Sequence, residues 1–237
     1  MASLYIVATP IGNLDDMTVR AQKTLAQADC ICAEDTRVSR VLLDRYGITT
    51  PVIPYHDFNK ESAGPRIITM LKDGKNIALI SDAGMPGIAD PAFNLVREAI
   101  RESIPVVPIP GPCAFISALV CSGLPTDRFI FENFMPPKSA RRKKIFEAYK
   151  TEPRTIIFYE TPHRILSVLT DMDEVLGDVP VVIGRELTKM YEEFHRGTPK
   201  ELLAHFGKKK PRGEMVVMLN TRMKPSAAAE EEPVIVR

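Results

Sequence analysis

The chain has 237 residues, with 31 Lys or Arg against 30 Asp or Glu and a formal net charge of +1. That length allows one large or two small domains, each able to bury a real core. A composition of 45% hydrophobic and 26% charged residues excludes a disordered polyelectrolyte, and the near-neutral balance excludes nucleic-acid binding by whole-chain charge, leaving only local clusters.

No apolar run approaches the roughly 20 residues that cross a bilayer, so no membrane partner is expected. The sequence given enters a strand-like segment at residues 4–8 almost at once. That leaves no room for a charged and apolar leader, and cytoplasmic localisation is the expectation. Cys30, Cys32, Cys113 and Cys121 sit in apolar contexts without a paired C-x-x-C, which predicts buried thiols. The four histidines show no H-x-x-x-H spacing, and no metal is expected.

In chain order, a strand at 4–8 is followed by a helix over 18–28 and a strand over 29–34. Asp35-Thr36 can cap a helix running to Tyr46, with Gly47 closing it. A short strand at 52–53 precedes a helix over 59–73. A buried strand at 76–80 leads into a glycine-rich loop and then a helix over 91–103, opened by Asp90-Pro91. A strand at 106–109, the turn Pro110-Gly111-Pro112 and an apolar helix over 113–121 complete the series. The pattern changes at Ser122-Gly123-Leu124-Pro125. Beyond it strands are expected near 129–131, 155–159, 181–186, 192–196 and 214–219, with helices near 139–150, 162–176 and 199–206. Two successive strands around 188–191 predict a hairpin.

Alternating strands and helices predict an α/β fold. We expect residues 1–120 to form an N-terminal α/β domain with a mostly parallel sheet. Residues 121–221 should form a C-terminal α/β domain with a mixed sheet, and residues 222–237 a disordered tail.

Five segments carry more turn chemistry and charge than a scaffold requires: residues 8–13, 33–37, 81–91, 110–114 and 158–164. The richest is Ser81-Asp82-Ala83-Gly84-Met85-Pro86-Gly87-Ile88-Ala89-Asp90-Pro91. Its small residues let main-chain groups approach a ligand, at the carboxyl end of a strand where open α/β sheets bind small molecules. It lacks both G-x-G-x-x-G and G-x-x-x-x-G-K-[ST], so neither dinucleotide nor P-loop nucleotide is signalled. The first four segments all leave strands toward helices, and a parallel sheet should gather them on one edge. Two basic runs, Lys138 with Arg141-Arg142-Lys143-Lys144 and Lys208-Lys209-Lys210-Pro211-Arg212, predict a surface for a polyanion.

These motifs carry a resemblance. Leu4-Tyr5-Ile6-Val7-Ala8-Thr9-Pro10-Ile11-Gly12-Asn13-Leu14-Asp15-Asp16, Ala33-Glu34-Asp35-Thr36-Arg37 and Ser81-Asp82-Ala83-Gly84 resemble the tetrapyrrole methylase superfamily, in its branch acting on bacterial small-subunit ribosomal RNA. So do Pro110-Gly111-Pro112, Tyr159-Glu160-Thr161-Pro162-His163-Arg164 and Arg185-Glu186-Leu187-Thr188-Lys189. The resemblance implies two α/β domains with S-adenosyl-L-methionine in the cleft between them, a homodimer, and methylation of the ribose 2′-oxygen of a cytidine in the decoding region of 16S rRNA. It implies cofactor contacts from Pro10, Ile11, Gly84, Met85, Pro86, Gly87, Ile88, Ala89, Cys113 and Ala114. In the second half it implies Phe158, Tyr159, Leu187, Gly213 and Glu214. Met85 departs from the Gly-Asp-Pro of corrin and porphyrin methylases, so that position should serve through its backbone.

Candidate general bases are Asp35 and Glu34, then Glu160 and His163. Arg37, Arg164 and Lys189 are expected to hold phosphates, and Lys138, Arg141, Arg142, Lys143 and Lys144 to dock rRNA on the small ribosomal subunit. A corrin or porphyrin carbon methylase, a diphthine synthase-like enzyme and a non-catalytic RNA-binding module are the alternatives. The basic runs and Ala-Glu-Asp-Thr-Arg favour the RNA branch.

Overall fold

The structure, a computed structural model, describes residues 2–223. The tail expected from residue 222 therefore lies, from 224 onward, outside the described residues. The chain divides into two compact units, Met1–Cys113 and Ala114–Arg237.

The first unit holds β1 (Leu4–Val7), β2 (Cys30–Ala33), β3 (Val52–Pro54), β4 (Ile77–Ile80) and β5 (Val106–Ile109) in one sheet ordered β3-β2-β4-β1-β5. Every pairing is parallel. Helices α1 (Val19–Gln27), α2 (Thr36–Arg45), α3 (Lys60–Lys72) and α4 (Ala92–Arg101) supply the crossovers. Alternation along the strands fixes the two faces. Leu4, Ile6, Cys30, Cys32, Ile77 and Leu79 pack with Ile67 and Leu71 of α3 and Leu95 of α4. Val7, Ile31, Ala33, Ala78 and Ile80 pack with Leu25 of α1 and Leu43 of α2. Thr18 caps α1 by accepting from the Ala21 amide at 3.1 Å, and Asp35 caps α2 by accepting from the Arg37 amide at 2.8 Å.

The second unit begins with α5 (Ala114–Ser122), which packs against strands of its sheet. That sheet comprises β6 (Phe129–Phe134), β7 (Thr155–Glu160), β8 (Val181–Arg185), β9 (Glu193–Gly197) and β10 (Met215–Leu219), ordered β6-β7-β10-β8-β9. Strand β6 is parallel to β7 and the other pairings are antiparallel, so the sheet is mixed and β8–β9 is the expected hairpin. Helices α6 (Ser139–Tyr149), α7 (Ile165–Leu176) and α8 (Pro199–Gly207) cover one face through Phe146, Val168, Leu169, Met172, Leu202 and Phe206. The Thr198-Pro199 start of α8 forms a full capping box with Glu201.

Three local expectations are corrected. Thr161-Pro162 does not open a helix: the Thr161 carbonyl accepts from the amides of Arg164 and Ile165, both at 3.1 Å, in a tight turn, and α7 begins at Ile165. Only Cys30 and Cys32 are buried thiols; Cys113 is half-buried and Cys121 is exposed near the end of α5.

The third concerns Arg142. It lies in a run of cations, yet its side chain is 4% exposed, against Asp171 of α7 at 6%. Nη2 lies 2.6 Å and Nε 2.7 Å from Asp171 Oδ2, and Nη1 donates to the carbonyls of Pro136 and Pro137 at 3.2 and 2.8 Å. The Ser139 hydroxyl donates to Asp171 Oδ1 at 2.7 Å. Arg142 therefore fastens the β6–α6 connection to α7 and is not available to RNA. Asp171→Ala would strand a buried guanidinium. We expect a loss of about 3–5 kcal/mol in urea unfolding, and a loss below about 1 kcal/mol would show that the pair does not anchor this connection.

Candidate active site

Parallel pairing brings the carboxyl ends of β1, β2, β4 and β5 to one edge of the first unit, and hydrogen bonds join the segments that leave them. Thr9 and Gly84 form a two-bond bridge, Thr9 N to Gly84 O at 2.9 Å and Gly84 N to Thr9 O at 3.1 Å. The Thr9 hydroxyl donates to the Ser81 carbonyl at 3.3 Å. Asp82 Oδ1 accepts from the Asp35 amide at 2.9 Å, tying the β2 segment to the β4 loop. Gly84 has φ +81°, and a Cβ there would lie 3.2 Å from Ile11 Cγ2 and 3.6 Å from the Pro112 carbonyl. Segments 8–13, 81–91 and 110–114 thus meet around Gly84, and segment 33–37 joins them through Asp82.

The loop after β4 is fixed by Asp90. Its carboxylate accepts from the Gly87 amide at 2.8–2.9 Å and from the Ala92 amide at 2.9 Å, capping α4 from outside. Ala89 is held at φ +70°, a left-handed conformation costing a non-glycine residue about 1–3 kcal/mol. Met85 packs against the core beside α3 and α4, which leaves its main chain for any ligand. Pro10 and Pro86 are buried, Ile11 and Ile88 half-buried, and Gly87 and Ala89 exposed.

The charges on this edge are mostly negative. Glu34 is half-buried, and its carboxyl is raised above the usual range first by burial and then by the neighbouring carboxylates of Asp82 and Asp90. Asp35 is the opposite case. Arg37 grips it through Nη2 at 2.6 Å, Nε at 3.1 Å and its amide at 2.8 Å, and these bonds hold its carboxyl well below the usual range. An acid so firmly held as its anion is a weak base. Arg37 itself is 90% exposed and committed to Asp35. This edge suits a cationic ligand approached by main-chain groups and disfavours a phosphate.

In the second unit the register brings another group to one sheet edge. Strand β10 starts opposite the ends of β7 and β8, with Met215 paired to both Glu160 and Arg185. Tyr159, Glu160, Leu187, Lys189, Gly213 and Glu214 therefore share an edge. Tyr159 is half-buried, with its ring 5.1 Å from Phe131 and 5.6 Å from Phe134. Phe158 faces the other way: its ring is fully buried against Phe146 in the core, so only its main chain can line a site. Cys113 and Ala114, both half-buried, are the last residue of one unit and the first of the next.

Two of the expected phosphate contacts are committed elsewhere. Lys189 Nζ lies 3.0 Å from both Glu186 and Glu214, and Arg164 donates to the carbonyls of Met135 and Pro136 while lying 3.3 Å from Glu160. Glu160 is buried, accepts from the Thr161 amide at 2.7 Å, and has its carboxyl raised chiefly by burial. His163 is exposed. Lys143 pairs with Glu174, whereas among the described residues no carboxylate pairs with Lys138, Arg141 or Lys144, all exposed.

Sequence reasoning did not single out Asp82 or Glu186 as site residues. Gly213 has φ +81°, and a Cβ there would come within 2.4 Å of the Glu186 side chain. Glu186 Oε1 in turn accepts from the Glu214 amide at 3.1 Å. No spacing rule reveals that packing, although Glu186 lies inside a motif already noted. Among the described residues, no group of three or more His, Cys, Asp or Glu could hold a metal ion, and no helix is long and apolar enough to cross a membrane.

Residues 3–203 match the family described as Tetrapyrrole (Corrin/Porphyrin) Methylases. The chain is 48% identical over 220 residues to Ribosomal RNA small subunit methyltransferase I of Thermotoga maritima, covering 93% of this chain and 99% of the relative. It is 50% identical to the protein of that name in Mesorhizobium japonicum (98% and 78%) and 48% identical to that of Haemophilus influenzae (99% and 84%). Among solved structures it resembles a diphthine synthase with TM-score 0.75 at 15% identity, covering 94% of this chain and 91% of that one. It also resembles the cobalt precorrin-4 methyltransferase CbiF, with TM-score 0.67 at 19% identity, covering 92% and 94%. At such identities these two likenesses concern the fold alone. The near full-length identity and the match over residues 3–203 place the chain in the tetrapyrrole methylase family, in its ribosomal RNA small subunit methyltransferase I branch.

Proposed function

We propose that this protein transfers the methyl group of S-adenosyl-L-methionine to the ribose 2′-oxygen of a cytidine in the decoding region of 16S rRNA. It would act on the small ribosomal subunit in the cytoplasm, as a homodimer and without a metal. The observation that carries this reading is 48% identity over 99% of the Thermotoga maritima relative, whose name specifies small-subunit rRNA methylation. Its test is incubation of undermodified small subunits with labelled donor, followed by mapping. We expect label on a single cytidine ribose of 16S rRNA; label on a base, or none, would reject the assignment.

The residues on the first unit's edge fit such a donor. Its positive charge is complemented by Asp82 and Asp90, and the Gly84–Ile11 approach leaves room for main-chain contact without side-chain bulk. Pro10, Ile11 and the backbone of residues 84–89 would hold it. When bound it supplies an electrophilic methyl group on a good leaving group. The chain's own tasks are alignment, which can contribute about 7–11 kcal/mol, and removal of the hydroxyl proton, which contributes roughly 10²–10⁴-fold.

Glu34 is the better-suited base of the four candidates. Burial and two neighbouring carboxylates raise its proton affinity toward neutrality, whereas Arg37 lowers that of Asp35 and Glu160 is enclosed beside Arg164. A base acts when deprotonated, so turnover should rise as pH increases through the raised Glu34 value. Glu34→Gln should remove that limb and lower kcat by about 10²–10⁴-fold, with donor affinity by calorimetry within about threefold. A kcat within threefold of the parent would eliminate Glu34 as the base.

Lys138, Arg141 and Lys144 are the cations of the first basic run with no carboxylate partner among the described residues, and would contact rRNA phosphates. Changing all three to Ser should weaken subunit binding and reduce the slope of log K against log salt by about 2–3, at roughly 0.7–0.9 per phosphate contact. An unaltered slope would assign this run to solvent.

A further inference from the structure

The connection between β8 and β9 ends in two residues with no structural task. Met190 is 87% exposed and Tyr191 is 69% exposed. Large apolar side chains presented together at a loop tip are uncommon unless they meet a partner.

The loop beneath them is held rigid. Glu186 and Thr188 both adopt left-handed backbone, at φ +51° and +66°. The Lys189 amide donates to the Glu186 carbonyl at 3.0 Å and the Glu192 amide to the Lys189 carbonyl at 3.1 Å. Lys189 Nζ closes the base by reaching both Glu186 and Glu214. The tip is thus a preformed platform.

Its surroundings identify the partner's charge. Arg185, the last residue of β8, donates through Nη1 to the Arg212 carbonyl at 3.0 Å, tethering the segment that follows α8 beside the root of the hairpin. Lys208, Lys209, Lys210 and Arg212 are exposed there, and among the described residues no carboxylate pairs with any of them. An aromatic and a thioether on a rigid tip, on a hairpin whose root is tied to a segment of exposed cations, match a single-stranded nucleic acid, whose bases stack on aromatic faces while cations track the phosphates.

From this we infer that Tyr191, supported by Met190, stacks on an unpaired base of the substrate RNA, with the Lys208–Arg212 segment holding the adjacent phosphates. The inference rests on the rRNA reading above and adds to it a recognition element outside the catalytic and cofactor residues. Stacking of one base on an aromatic side chain corresponds to about five- to a hundredfold in binding.

Undermodified small subunits and labelled donor provide the test. Tyr191→Ser should raise KM for subunits by about tenfold or more, with kcat within twofold and donor affinity by calorimetry unchanged. Tyr191→Phe, which keeps the ring, should stay within twofold of the parent in KM. A photo-crosslinking residue at position 190 should attach to 16S rRNA. An unchanged KM for Tyr191→Ser, an equal loss in both variants, or crosslinks to ribosomal proteins alone would overturn the inference. Failure of the unaltered protein to label any 16S ribose would instead overturn the functional reading, so the two failures are distinct.

Discussion

The two hydrogen bonds between Thr9 and Gly84 hold together the carboxyl-end edge of the first sheet. They form an isolated antiparallel bridge beyond the ends of the parallel pair β1–β4, joining segments that would otherwise diverge. With that bridge in place the Ile11 side chain, the β4 loop and the Pro112 carbonyl lie within contact of one glycine. A parallel sheet brings strand ends to one edge in any case, but it does not bring the departing loops into register. The bridge does, and the Asp82 link to the Asp35 amide extends the same order to the second strand.

The second unit reaches a comparable concentration of residues by another route. Its central strand β10 runs antiparallel to β7 and β8, so the start of one strand meets the ends of two. Gly213 then admits the Glu186 side chain where any Cβ would block it. Charges at this edge are consumed internally, by Lys189 with two glutamates and by Arg164 with carbonyl groups. Among the described residues, Lys138, Arg141 and Lys144 near the start of α6 and Lys208, Lys209, Lys210 and Arg212 after α8 are exposed with no carboxylate partner.

Much of this was legible in the sequence. Strands alternating with helices, and the punctuation by glycine and proline, predicted the parallel sheet and the convergence of four turns. The motifs supplied the family. Three things were illegible, each for a physical reason. Arg142 reads as one cation among five because nothing local marks Asp171, 29 residues away, as its partner. Asp35 and Glu34 are adjacent carboxylates, and only the fold shows that one is gripped by Arg37 while the other is crowded by anions. Phe158 and Tyr159 are neighbours of similar character, and strand alternation sends one into the core against Phe146 and the other to the opposite face beside Phe131 and Phe134.

The buried Arg142–Asp171 contact also changes how this protein should be altered. Three cations of one short stretch, Lys138, Arg141 and Lys144, can be exchanged, inverted or modified with effects confined to solubility and association, while Lys143 pairs with Glu174. Arg142 behaves as part of the interior, and charge engineering that treats the stretch as uniform would unseat the join between α6 and α7. Among natural variants, a change at 142 should be found alongside a compensating change at 171, whereas its neighbours should drift independently.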